Sequence, residues 1–164
     1  MLESKFIIFA VNILVFAIPI AILEILIEKD KGWGAGLPKN KWYGRIIGEN
    51  NFVTKVMARV LGVPYFFGYA VLMYLFLLPL ILLAEHFLLL HNFLLIMAIY
   101  IAITVIEDFS WFVLNWNFPA LSELLKGPQG SIWWHKRWLK VVNGYYLPRS
   151  YLAIFGSLIL LLIS

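Results

Sequence analysis

Apolar runs of about 20 residues recur along this chain, and that is the length a helix needs to cross about 30 Å of hydrocarbon. The first extends from about Lys5 to Ile27, the second from about Tyr65 to Ala84 and the third from about Phe93 to Leu114. A bilayer core has no water to satisfy backbone N–H and C=O groups, so each run is expected to be helical. The first run is expected to be a span rather than a signal peptide, because it is long and ends in Glu24, Glu28 and a charged loop. Pro19 and Pro79 are expected to kink their helices. The last run is shorter: Tyr151 to Ser164 would reach only about 21 Å at 1.5 Å per residue. Starting at Tyr145 extends it to about 30 Å, with Pro148 in its first turn and Arg149 reaching the interface. A full span over 145–164 is the expectation, and a half-span or re-entrant piece is the competing one.

The expected fold class is thus an all-α integral membrane protein, a single domain over 1–164. Four transmembrane helices, at about 5–27, 65–84, 93–114 and 145–164, are joined by two long loops, 28–64 and 115–144. Composition agrees: 63% of the residues are hydrophobic and 13% charged, against about 25% charged in a soluble domain. The chain has no cysteine, which removes disulfides, thiolate zinc sites, iron–sulfur clusters and covalent haem attachment.

Loop charge sets the expected orientation. Lys29, Lys31, Lys39, Lys41, Arg45, Lys55 and Arg59 fall between the first two spans, and Lys126, Lys136, Arg137, Lys140 and Arg149 between the last two. Only Lys5 falls on the other side. Basic loops stay inside, so both long loops are expected to be cytoplasmic and both termini outside. The net charge of +4 lies in those loops; it argues against nucleic acid and for anionic lipid headgroups as partners. A homo-oligomer or a heteromeric membrane partner remains compatible with the pattern.

Within the first loop, Gly32, Gly34, Gly36, Pro38 and Gly44 mark irregular chain. From Asn51, a fair N-cap, Phe52, Val53, Val56, Met57, Val60 and Leu61 share a helical face. Lys55 and Arg59 share another, so a short interfacial helix is expected over 52–61, ended by Gly62 and Pro64. In the second loop, Ser131 would cap a helix in which Trp134, Trp138 and Val142 share a face and Lys136 and Lys140 point away.

The third span carries the polar pattern most suggestive of chemistry. Tyr100, Thr104, Glu107, Trp111 and Asn115 follow steps of 4, 3, 4 and 4, so they share one face, with Asp108 adjacent. An ionisable group at the centre of a span costs roughly 2.5–3.5 kcal/mol, so such groups are functional candidates by default. Glu24 and Glu28 reach the same depth, and His135, Arg149, Tyr65 and Tyr69 approach it. Glu107, Asp108 and His135 are therefore the candidate catalytic residues. Lys136, Arg137, Arg149, Trp111, Trp134, Asn115 and Tyr100 are the candidate headgroup-binding residues. A divalent metal is conceivable on Glu24, Glu107, Asp108 and His135, carboxylates plus one imidazole suiting a hard or borderline ion, although no ligand spacing such as ExxH is present.

Plainer readings stand beside these. The acids would merely neutralise Arg149 or loop lysines, Asn115 and Asn12 would be interhelical glue, and the tryptophans would be interface anchors. His86 and His91, five residues apart, read as a solvated outer turn. No GxSxG or Walker A sequence is present. The polar groups gather at one side of the membrane, which favours a pocket over a through-path. The expected function is binding or modification of a lipid or isoprenoid-type amphiphile in the cytoplasmic leaflet. The alternatives are a non-catalytic subunit of a membrane complex and a small oligomeric transporter.

Overall fold

A computed structural model of the protein describes residues 2–47, 52–61, 63–118, 120–142 and 144–164. Asn51 and Gly62, expected to cap and to end the loop helix, lie outside the described residues.

Three long helices carry the apolar runs: α1 (Leu2–Glu28), α3 (Gly68–Leu90) and α4 (Phe93–Leu114). Each is long and apolar enough to cross a membrane. Apolar side chains such as Leu14, Phe76, Leu80 and Ile159 face outward, as helices surrounded by hydrocarbon require. Helix α4 is the centre of the bundle and packs against both α1 and the last helix, α6 (Arg149–Ile163). Close approach is possible because the contact residues are small: Ala17 and Ala21 on α1 and Ala98 and Ala102 on α4 are fully buried. The Ser157 hydroxyl of α6 donates to the Ala98 carbonyl at 2.7 Å.

Helix α3 departs from its expected limits at both ends. It starts at Gly68 rather than Tyr65, because Phe66–Phe67 (β2) pair antiparallel with Ile46–Ile47 (β1) of the first loop. At Gly68 a β-carbon would lie 2.0 Å from the Trp42 carbonyl oxygen, so only glycine admits the loop this close. The helix also runs on to Leu90, taking Glu85 and His86 into its last turns. The turn to α4 is tight: His91 adopts a left-handed conformation (φ 48°) and the Asn92 side chain accepts from the Leu95 N–H at 3.1 Å. Residues 71–77, just before Pro79, are wound as a π-helix, one way of absorbing a proline's missing N–H and its clash with the preceding turn.

The first loop contains the expected helix, α2 (Phe52–Leu61). Of its described side chains Ala58 is buried, while Phe52, Lys55, Val56 and Arg59 are exposed. A short helix α5 (Ala120–Leu125) opens the second loop.

The second loop corrects the tryptophan-helix expectation. Residues 132–137 are not helical, and Trp138–Val142 (β3) and Tyr145–Pro148 (β4) form an antiparallel hairpin in which Gly144 takes φ +85°. Trp138, Val141, Val142, Tyr145 and Tyr146 are β-formers, and their sheet preference prevails over the i, i+4 spacing of the aromatics. Trp134 is buried, Trp138 partly so and Val142 exposed, so the three share no buried face. The hairpin also takes Tyr145–Pro148 from the expected fourth span. What remains of that span, α6, has 15 residues, only 11 of them α-helical (Ala153–Ile163), and extends about 22 Å. The helix of the last run thus starts at Arg149 and is shorter than the 145–164 expected.

Candidate functional site

The loop end of the bundle gathers nearly all the polar groups singled out from sequence, but it sorts them into three places.

The deepest is a cluster of carboxyl and phenol groups between α1, α3 and α4. Glu24, Glu28 and Glu107 are all buried. The Tyr74 hydroxyl donates to Glu24 Oε1 at 3.0 Å, and the Glu107 carboxyl lies against Glu24 and Tyr74. Glu28 accepts from the Tyr69 hydroxyl and, at 2.6 Å, from the Gly34 N–H. Gly34 stands at φ +62°, and a β-carbon there would lie 2.6 Å from the Phe67 ring. The turn that presents its N–H to Glu28 therefore requires glycine. Among the described residues no lysine or arginine pairs with any of these three acids. Removing carboxyl groups from water without a basic partner is costly, so protons or hydrogen bonds must compensate. The tyrosines supply part of that compensation. Glu107 Oε1, however, is buried and has no hydrogen-bond partner among the described residues.

The second place lies nearer the loops. Asp108, one residue on from Glu107 and partly exposed, accepts from the Tyr151 hydroxyl at 2.5 Å. The same oxygen lies 3.2 Å from His135 Nε2. The His135 side chain is only 4% exposed against 25% for Asp108, so the pair has a dry side and an open side. His135 is walled by aromatic rings, with Trp138 at 5.7 Å, Phe112 at 6.0 Å and Tyr151 at 6.1 Å. Its Nε2 is off-line for a hydrogen bond with Asp108, and among the described residues neither it nor the buried Trp111 indole N–H has a partner. Carboxylate, imidazole and phenol in contact form a proton-handling set. Among the described residues no group of three or more Asp, Glu or His side chains is placed to hold a metal ion. Glu24 and Glu107 stay in the deep cluster, and Asp108 with His135 offers two donors, leaving an ion's other ligands to water or substrate oxygens.

The third place is a cleft of about 540 Å³ between α2 and the chain before β3. Lys55, Arg59, Lys136 and Arg137 line it together with Phe52, Val56, Ala58, Val63 and Pro64. Lys136 is steadied by donating to the Trp133 carbonyl at 2.8 Å, with its ammonium 6.0 Å from the Trp133 ring. The cleft and the proton-handling set are joined through the backbone. His135 is turned inward to Asp108, and the next two residues are exposed and line the cleft.

Other expected headgroup ligands have structural partners instead. Tyr100 donates to the Tyr74 carbonyl at 2.8 Å, strapping α4 to α3. The Asn115 amide donates to the Lys29 carbonyl at 2.8 Å and its Oδ1 accepts from the Asn117 N–H, so it fastens α4 to the first loop. Trp134 is buried, stacked on Phe112 at 5.8 Å, and Trp111 packs edge-on against it. Arg149 is exposed and does not line the cleft, although its N–H donates to the Arg137 carbonyl at 2.9 Å. Conversely, Tyr74, Tyr151, Lys55 and Arg59 enter the site without having been singled out for it. The 71–77 winding gives one reason. Residues 69 and 74 stand about 140° apart on an α-helix, whereas i→i+5 winding brings residues five apart toward one face.

Comparison of the chain with protein-family models, curated proteins and solved structures finds no match.

Proposed function

We propose that the protein binds a lipid or isoprenoid-type amphiphile at the cytoplasmic leaflet and acts on it by proton transfer. Asp108 serves as the base, Tyr151 orients it, His135 lies beside it, and the headgroup rests on the basic cleft. The observation that carries this reading is Asp108 itself. It is a partly exposed carboxylate on an apolar helix, held at one oxygen by Tyr151 and flanked by His135, and the two residues after His135 join Lys55 and Arg59 in lining the basic cleft. Of the two adjacent acids, Asp108 suits the base role better than Glu107, which is enclosed with Glu24 and Tyr74. A positioned general base contributes about 10²–10⁴-fold to a rate.

The test is native mass spectrometry and lipid analysis of the gently solubilised protein beside Asp108→Asn. The wild type is expected to carry an amphiphile. The variant is expected to keep its fold and its lipid, with the bound population shifted toward unprocessed substrate and turnover lower by about 10²-fold or more. A wild-type particle free of lipid would remove the reading, and one bound to a second protein would favour a subunit role. Identical bound populations in both proteins would remove the proton-transfer step.

A further inference from the structure

The cleft beside α2 carries more charge than a typical membrane phospholipid needs. Two lysines and two arginines converge on about 540 Å³, and among the described residues no acidic one lines it. Among the described residues, none of the four makes an ion pair. Four cations held this close repel one another, so the cleft favours an occupant that brings several negative charges to one place. Choline or ethanolamine headgroups bring a cation of their own into that field. A glycerol phosphodiester brings a single charge and leaves most of the field unbalanced. A phosphomonoester or a diphosphate brings two or three charges and enough oxygens to accept forked hydrogen bonds from Arg59 and Arg137.

The apolar half of the cleft bears on what the phosphate is attached to. Phe52 is 79% exposed and Val56 43% exposed at its rim. Pro64 closes it four residues before α3 begins. A free phosphate ion has no use for that surface, whereas an acyl or prenyl chain leaving the phosphate toward the spans would cover it. Trp133, against which Lys136 is held, is the kind of ring that settles at headgroup depth.

We infer that the cleft formed by Lys55, Arg59, Lys136 and Arg137 selects lipids ending in a multiply charged phosphate, a phosphomonoester or a diphosphate, over singly charged and zwitterionic lipids. This inference rests on the amphiphile-binding reading above and names its headgroup.

The experiment measures binding of short-chain phosphatidic acid, phosphatidylglycerol and phosphatidylcholine to the full-length protein in detergent. Lys55→Gln/Arg59→Gln, Lys136→Gln/Arg137→Gln and Lys39→Gln are run alongside, each checked for fold by circular dichroism. Phosphatidic acid should bind at least tenfold more tightly than phosphatidylglycerol. Each cleft variant should lose most of that preference, and Lys39→Gln, a cation outside the cleft, should keep it. Two cleft variants on separate segments keep the test decisive if one of them misfolds. Equal affinity for the two anionic lipids, or a preference that survives in a folded cleft variant, overturns the inference while leaving amphiphile binding intact. Competition by inorganic diphosphate as strong as by the lipid would assign the cleft to a soluble anion and overturn its lipid part. Failure of all three lipids to bind would bring down the amphiphile reading itself.

Discussion

Tyr151 and Asp108 stand 43 residues apart in the chain, yet the Tyr151 hydroxyl donates to Asp108 Oδ2 at 2.5 Å. The bond ties the start of α6 to the loop-side third of α4, where His135 of the second loop also arrives. One carboxylate oxygen thus joins three separate segments.

Tyr151→Phe removes that bond while keeping the ring. It is expected to lower stability by about 1 kcal/mol, the usual net worth of one hydrogen bond. Thermal unfolding in detergent would read it, with Ser150→Ala as the neighbouring control. In a double-mutant cycle, Tyr151→Phe should cost less in an Asp108→Ala background, because the acceptor is already gone. Equal costs in both backgrounds would mean that the contact is not a working hydrogen bond.

The Tyr74–Glu24 contact offers a parallel case deeper in the bundle. Glu24→Ala takes one acceptor from a partly buried phenol that also lies against Glu107, an expected loss of about 1 kcal/mol. Glu24→Gln, which keeps an acceptor, should cost less than Glu24→Ala by denaturation midpoint. Introducing Tyr74→Phe first should reduce the penalty of Glu24→Ala. A Glu24→Gln protein as unstable as Glu24→Ala would point to a need for the carboxyl itself.

Glu123 gives a pH dependence. Lys126 Nζ at 2.5 Å, helped by the Ser131 N–H, lowers the Glu123 carboxyl from its ordinary 4.5 to about 2. A depressed carboxyl stabilises the fold above its unfolded value, and that contribution is lost as pH falls toward the folded one. The 123–131 turn should therefore hold at pH 5 and loosen progressively between about 4.5 and 2. Limited proteolysis of that turn with an acid-active protease would follow it. Glu123→Gln should loosen the turn already at pH 6 and flatten the profile. Because the pair lies at the surface with Lys126 exposed, high salt should weaken the effect.

The absence of cysteine makes orientation directly measurable. Single cysteines at Lys39 and Gln129 should resist a membrane-impermeant maleimide in intact cells and react after permeabilisation, whereas one at Glu3 should react in intact cells. The reverse pattern would invert the topology and move the Asp108 site to the outer leaflet.

Much of this arrangement is legible along the chain, and the rest is hidden for physical reasons. Unbroken apolar runs announce α1, α3 and α4, because lipid leaves few alternatives to a helix. Glu107 and Asp108 announce themselves by their cost within such a run. The partners of those acids do not: Tyr74 and Tyr151 lie 50 and 43 residues from the carboxylates they contact, and nothing local marks them. Residues 134–142 mislead because Trp134, Trp138 and Val142, spaced four apart, satisfy a helical pattern while Trp138 and Val142 are also strong strand formers. Lys55 and Arg59 resemble an ordinary solvated helix face until Lys136 and Arg137 are seen across the cleft from them.

The shortness of α6 bears on the bilayer itself. The Asn92 amide donates to the Ser164 carbonyl at 3.1 Å, so α6 and the α3–α4 turn are level at one end. From there α4 rises about 33 Å over 22 residues and α6 about 22 Å over 15. The whole deficit, about 11 Å, falls at the end where Tyr151 meets Asp108. Lipids beside α6 must thin or tilt to follow it, a local hydrophobic mismatch. Headgroups and water would then dip toward Asp108, giving a carboxylate within a membrane helix a route to the interface along the protein's flank.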